Sequence, residues 1–192
     1  MTELIKAFLL SVTLLLPAFA CAADTATTNP RVVIKTSEGD ITLQLFADKA
    51  PVTVANFLGY VDRGFYNGTL FHRVIPNFMI QGGGFGVDMK EKETGEPIAN
   101  ESDNRLSNTR GTIAMARTSN PDSATSQFFI NQRTNDRLDW AEGREGYTVF
   151  GEVIQGLDIV DFITTAPTGT VAGMGDVPLQ AIVIREIVRQ QP

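Results

Sequence analysis

The stretch Phe71-His72-Arg73-Val74-Ile75-Pro76-Asn77-Phe78-Met79-Ile80-Gln81-Gly82-Gly83-Gly84 decides how the chain is read. Alternating faces put Phe71, Arg73 and Ile75 on one side and His72 and Val74 on the other. A turn at Pro76-Asn77 follows. Beyond it Phe78 and Ile80 are expected to share one face, and Met79 and Gln81 the opposite one. A guanidinium and an amide beside exposed Phe and Met do not suit a core. They suit a groove that takes an apolar group while holding a peptide carbonyl.

Working outward, short alternating runs dominate. Arg31 to Ser37 and Ile41 to Phe46 read as a hairpin around Glu38-Gly39-Asp40. Gly111 to Ala116, Gln127 to Asn131, Thr148 to Val153 and Ala181 to Val188 read as further strands. Two segments carry helical spacing. Pro51 opens the first, in which Val54, Phe57, Leu58 and Val61 form one face up to a stop at Gly64. Leu157 to Thr164 is the second, with Leu157, Val160 and Ile163 together. Asn67-Gly68 marks a tight turn, and residues 86–110 read as a long polar surface connection. Many short strands with two helices predict a mostly β domain: a closed eight-stranded antiparallel β-barrel capped by two α-helices.

The N-terminus is a different material. Lys6 precedes the apolar run Ala7 to Leu16, and Pro17 leads into Ala18-Phe19-Ala20-Cys21-Ala22. This is the pattern of a secretory signal peptide over residues 1–22, shorter than the roughly 20 apolar residues of a spanning helix. Residues 23–30 are then expected to form a flexible polar leader, and the domain runs over 31–190. Export to the periplasm is the expectation, with no stable membrane insertion after cleavage. The alternative is a lipoprotein acylated on Cys21, but Ala18 stands where such signals usually carry Leu.

Composition narrows the chemistry. The chain has 192 residues, is 43% hydrophobic, and carries a formal net charge of −6, without a run of basic residues. A nucleic-acid partner is therefore not expected, since phosphate binding draws on clustered Lys and Arg. One histidine and one cysteine cannot supply a zinc site, so no metal or other cofactor is expected. No Gly-x-Ser-x-Gly elbow occurs, and nothing in the spacing of Ser123, Ser126 and His72 specifies a hydrolase. Gly82-Gly83-Gly84-x-Gly86 opens no helix, so it reads as a permissive bend rather than a dinucleotide loop.

The run from Phe71 to Gly83 resembles the signature of the cyclophilin-type peptidyl-prolyl cis-trans isomerases. Asn108 to Arg117, Ser123 to Asn131 and Tyr147 to Gly151 resemble further family blocks, in order, across nearly all of the mature chain. With the export signal, the likeness points to the periplasmic branch found in Gram-negative bacteria. The resemblance implies the same barrel with two capping helices, and acceleration of rotation about X-Pro bonds in segments of unfolded or exported proteins by a monomer. The alternative is a module that binds proline segments as a chaperone, with incidental turnover.

By the same resemblance Arg73 is the catalytic arginine and Gln81 the groove amide beside it. Phe78, Met79, Phe129 and Leu138 match the walls of the proline pocket. Ala116, Arg117 and Gln127 match the path of the substrate backbone, with Arg117 where many members have Asn. Tyr147 stands where eukaryotic members usually have His. His72 is expected to make a structural hydrogen bond rather than to move protons. One position departs from the family: Arg137 falls where an aromatic residue is usual, and Trp140 comes three residues later. Weak binding of cyclosporin is the expected result.

Overall fold

The computed structural model describes residues 29–190. The expected signal segment, Cys21 and all but the end of the leader lie outside the described residues. Asn29 and Pro30, the end of that leader, are tied to the domain. The Asn29 side chain accepts from the Ala47 N–H at 3.0 Å, and the Pro30 carbonyl from the Leu45 N–H at 2.8 Å.

The predicted hairpin is β1, Arg31–Thr36, and β2, Asp40–Leu45. Helix α1, Pro51–Asp62, follows. Next come β3, Thr69–Leu70, β4, Arg73–Ile75, and β5, Met79–Gly82. After the long connection lie β6, Thr112–Met115, β7, Phe128–Asn131, and β8, Val149–Gln155. Helix α2, Leu157–Ile163, precedes a hairpin that the sequence reading did not contain, β9, Thr168–Val171, with β10, Met174–Pro178. Strand β11, Val183–Gln190, ends the domain.

Among the described residues nine strands form one antiparallel sheet in the order β3-β11-β1-β2-β8-β6-β7-β5-β4, and β9-β10 is a separate pair. The architecture is the expected barrel-like, mostly β fold with two helices. Two details differ. The large sheet has nine strands rather than eight, and its curl is not sealed by a ladder. Its two edges, β3 and β4, are consecutive in the chain and are joined through Phe71-His72. Backbone bonds from the Phe71 N–H to the Ile182 carbonyl (3.0 Å) and from the Gly83 N–H to the Leu70 carbonyl (3.3 Å) tack this seam together.

The inner face of the curl is the main core. α1 contributes Val54, Phe57, Leu58 and Val61, and α2 contributes Val160 and Ile163, against Ile34, Leu43, Ile80, Ile130 and Phe150. Phe57 is its aromatic centre, within 5.2–5.7 Å of the Tyr66, Phe128 and Phe150 rings. The N-terminus of α1 lacks a local side-chain cap. Glu101 supplies one from the long connection, accepting from the Val52 and Thr53 N–H groups at 3.1 and 2.8 Å and from the Thr53 hydroxyl at 2.7 Å. That satisfies two of the orphan donors of the first turn and sets a negative charge at the positive end of the helix.

Two face assignments need correction. Phe71 does not share a face with Arg73, because β4 begins only at Arg73. Phe71 is 1% exposed and packs in the core edge-on to Phe128. Phe78 does not share a face with Ile80. The turn before β5 passes through Asn77 at φ +57°, which breaks the alternation. Ile80 joins the main core while Phe78 packs on the outer side. In β11 the register shifts by one residue opposite Lys35-Thr36. That bulge explains why the buried phase passes from Ile182 and Ile184 to Ile187.

The glycine run is a bend at the seam. Gly83 has φ +83°, and a Cβ on Gly82 would lie 2.7 Å from the Leu70 carbonyl oxygen and 3.0 Å from the Phe71 ring. Gly82→Ala is therefore expected to lose about 1–3 kcal/mol of stability by forcing the two sheet edges apart. A shift in the urea midpoint measures it, and an unchanged midpoint would show that the seam has slack.

His72, beside the seam, is 4% exposed, and its Nδ1 has no hydrogen-bond partner. Burial lowers its pKa from 6.5 to about 4, with the nearby Arg73 charge adding to the fall and the Leu70 carbonyl opposing it. The folded protein thus holds the neutral ring while the unfolded chain takes a proton below about 6.5. Its contribution to stability is complete above that pH and is lost as pH falls towards 4, by about 3 kcal/mol in all. It is the only histidine in the chain. Its imidazole NMR signal should stay in the neutral position to below pH 5, and urea midpoints should fall between pH 7 and 4.5. Titration near 6.5 contradicts this.

Candidate active site

The register of four strands builds the site. Arg73 of β4 stands opposite Gln81 of β5, Gln81 opposite Phe129 of β7, and Phe129 opposite Ala114 of β6. Residues directly opposite in a ladder project to the same side. The strands' neighbouring residues Val74, Ile80, Phe128, Ile130, Ile113 and Met115 fill the core. The row Arg73-Gln81-Phe129-Ala114 therefore lies on the outer face. Met79, Ala114, Phe129 and Val149 make a second apolar cluster there, with Phe78, Ala116, Leu138 and Tyr147 packed around it.

Above this cluster lies a half-open cavity of about 420 Å³, lined by Arg73, Phe78, Met79, Gln81, Ala116, Arg117, Phe129, Leu138 and Tyr147. Every residue expected at the site lines it except Gln127. That residue borders an adjoining cleft of about 460 Å³ which shares Gln81, Ala116 and Arg117. The two are linked, since Gln81 Nε2 donates to Gln127 Oε1 at 3.0 Å and Gln127 Nε2 to Glu91 Oε1 at 3.2 Å. Met79, expected to be exposed, is only 2% so, and serves as the floor of the cavity.

The walls are held by backbone. The Phe78 carbonyl accepts from the Gln132 N–H at 3.0 Å and from Asn135 Nδ2 at 3.1 Å, which fixes the turn that carries its ring. The Tyr147 N–H donates to the Leu138 carbonyl at 2.9 Å, and its ring meets Phe129 edge-on at 5.6 Å. Arg117 is a construction element rather than a free cation. Its guanidinium donates to the carbonyls of Thr118, Glu145 and Gly146 at 2.9–3.2 Å and lies 4.5 Å over the Tyr147 ring. Arg73 makes no such side-chain hydrogen bond among the described residues, so its donors remain for a ligand.

Arg137 is exposed, and Leu138 alone of that short turn reaches the cavity. Trp140 does not replace the missing aromatic: it sits beneath Arg105, 5.0 Å from its guanidinium carbon, away from the cavity lining. Ser126 donates to the Gly83 carbonyl and Ser123 to the Asn120 carbonyl, so neither engages His72. The residue that the sequence reading missed is Asp176 of β10, whose Oδ2 lies 3.7 Å from Arg73 Nε. The weak strand signal of β9-β10 hid it.

The model of the cyclophilin-type peptidyl-prolyl cis-trans isomerase family matches residues 31–189. A peptidyl-prolyl cis-trans isomerase of Acinetobacter baylyi is 57% identical over 159 residues, covering 83% of this chain and 85% of the relative. Peptidyl-prolyl cis-trans isomerase A of Dickeya dadantii is 54% identical over 176 residues, 92% of this chain and 90% of the relative. Among solved structures, a Cryptosporidium parvum cyclophilin-type isomerase crystallised in the presence of the dipeptide Ala-Pro superposes with a TM-score of 0.71. It is 28% identical, with 84% of this chain and 99% of that one covered. The family model spans the curled antiparallel sheet from β1 into β11, and relatives more than half identical cover most of the domain: the chain belongs to the cyclophilin-type peptidyl-prolyl cis-trans isomerases.

Proposed function

We propose that the outer cavity accelerates rotation about X-Pro bonds in exported polypeptides, with Arg73 as the catalytic group and the Phe78-Met79-Phe129-Leu138 walls as the proline pocket. The observation that carries this is the cross-strand row that sets a cation, without a hydrogen-bonded partner among the described residues, beside an apolar floor.

The chemistry needs no covalent step. Rotation is opposed by amide resonance, a barrier of about 18–20 kcal/mol, and runs unaided in tens to hundreds of seconds. Reaching milliseconds takes roughly 10⁴–10⁵-fold, or about 5.5–7 kcal/mol of preferential binding to the twisted amide. As the bond twists, a lone pair localises on the prolyl nitrogen and can accept from the Arg73 guanidinium. A hydrogen bond from a charged donor contributes about 1.5–3 kcal/mol, and more in a site shielded from water. Burying the pyrrolidine ring on Met79 and Phe129 anchors one end of the rotating bond. It also excludes water, which favours the planar amide with its larger dipole. Gln81 Nε2 spends one N–H on Gln127 and makes no bond to Arg73, which leaves its second N–H to hold a substrate carbonyl while Arg73 acts.

Residues 1–22 support export of the enzyme to the periplasm, where unfolded chains that cross the inner membrane would be its substrates. The Ala-Pro dipeptide present with the Cryptosporidium parvum relative agrees with a small residue before proline.

Arg73→Ala is expected to lower kcat/KM for an Ala-Pro peptide by about 10²-fold or more, the scale of one removed electrostatic donor. Peptide affinity, measured by calorimetry, should fall far less. If suppression of client aggregation survives in that variant while turnover is lost, holding of proline segments is the cellular role. Cyclosporin is expected to inhibit weakly, because no aromatic side chain replaces Arg137 at the rim. Nanomolar inhibition in a titration contradicts that.

A further inference from the structure

We infer that Asp176 is a positioning residue for Arg73, delivered to it by a bulge in the β9-β10 hairpin. The inference rests on the catalytic reading of Arg73 above.

Three observations converge. First, Asp176 Oδ2 lies 3.7 Å from Arg73 Nε, and among the described residues it is the acidic group in ion-pair range of that guanidinium. The approach is to Nε, which leaves the terminal Nη groups for a ligand in the cavity that Arg73 lines. Second, the backbone is shaped for this contact. The β9-β10 register is irregular between Met174 and Val177, and Asp176, inside the irregularity, has φ +61°. A left-handed conformation is disfavoured for a residue with a Cβ, though Asp and Asn tolerate it best. Bulges next to active sites commonly re-aim a side chain. Third, the hairpin is anchored on both sides of the bulge. Ala172 and Gly173 turn with φ +50° and +81°, the signs of a type I′ connection, and Val177 and Pro178 are buried. β10 packs against β4, the strand that carries Arg73.

A long, flexible arginine that loses rotamer freedom only on meeting its substrate does so at a cost to the transition state. A carboxylate at its Nε edge bears part of that ordering beforehand. Both side chains are close to half exposed, so the effect is modest and sensitive to salt.

Asp176→Asn keeps the size and the tolerance for positive φ but removes the charge. The variant is expected to lose about two- to fivefold in kcat at low ionic strength, the range of an exposed ion pair, with KM and melting temperature unchanged. At about 0.5 M salt the gap to the parent should close, since the pair is screened. In an Arg73→Ala background the same change should have no effect. An unchanged or faster Asp176→Asn enzyme, or an equal loss without Arg73, overturns the positioning role. If Arg73→Ala itself leaves turnover intact, the catalytic reading fails instead, so the two failures are distinguishable.

Discussion

The site depends on strand register. Arg73, Gln81 and Phe129 meet because β4, β5 and β7 pair with no slip between them. Side chains alternate with a period of two, so a shift of a single residue at either ladder would bury the guanidinium and expose the core. The inner face guards against that. Val74, Ile80 and Ile130 are fully buried in the main core, and each is the chain neighbour of a groove residue or of the apolar floor. Packing on one side of the sheet thus holds the chemistry on the other, without any direct bond between the catalytic groups.

The same economy governs charge. The cleft contains two arginines with opposite fates. Arg117 is consumed by three backbone carbonyls and a tyrosine face, and it stiffens the loop that carries Tyr147. Arg73 keeps its donors. The sequence placed Arg117 on the substrate path, and nothing in it showed that this guanidinium is spent on its own loop. What differs is the supply of acceptors: the turn at Glu145-Gly146 gives its carbonyls to Arg117, whereas among the described residues Arg73 meets only the Asp176 carboxylate, at 3.7 Å.

How much was legible follows from how far each signal reaches. The barrel strands with clear alternation and both helices lie where the pattern places them, within a residue or two. The groove residues came from one contiguous motif and its companion blocks, and nearly all share one cavity. Failures cluster where alternation is interrupted. Phe78 was assigned to the wrong face because Asn77 takes positive φ, which no periodicity reports. The β9-β10 pair, Thr-Gly-Thr-Val and Met-Gly-Asp-Val-Pro, is glycine-rich and nearly without an apolar face, so neither the hairpin nor Asp176 announced itself. Glu101 caps α1 from some fifty residues away, a contact that exists only once the sheet has curled.

The order of the strands also sets when this molecule can become itself. β1 lies between β2 and β11, and Arg31 faces Gln190, so the beginning and the end of the domain are partners. Until the last strand arrives, β1 and β3 each keep an open edge of the kind that invites pairing with foreign chains. Such distant pairing makes assembly slow compared with helical domains of similar size. A catalyst of prolyl isomerisation is thus one whose own completion waits for its final eight-residue strand.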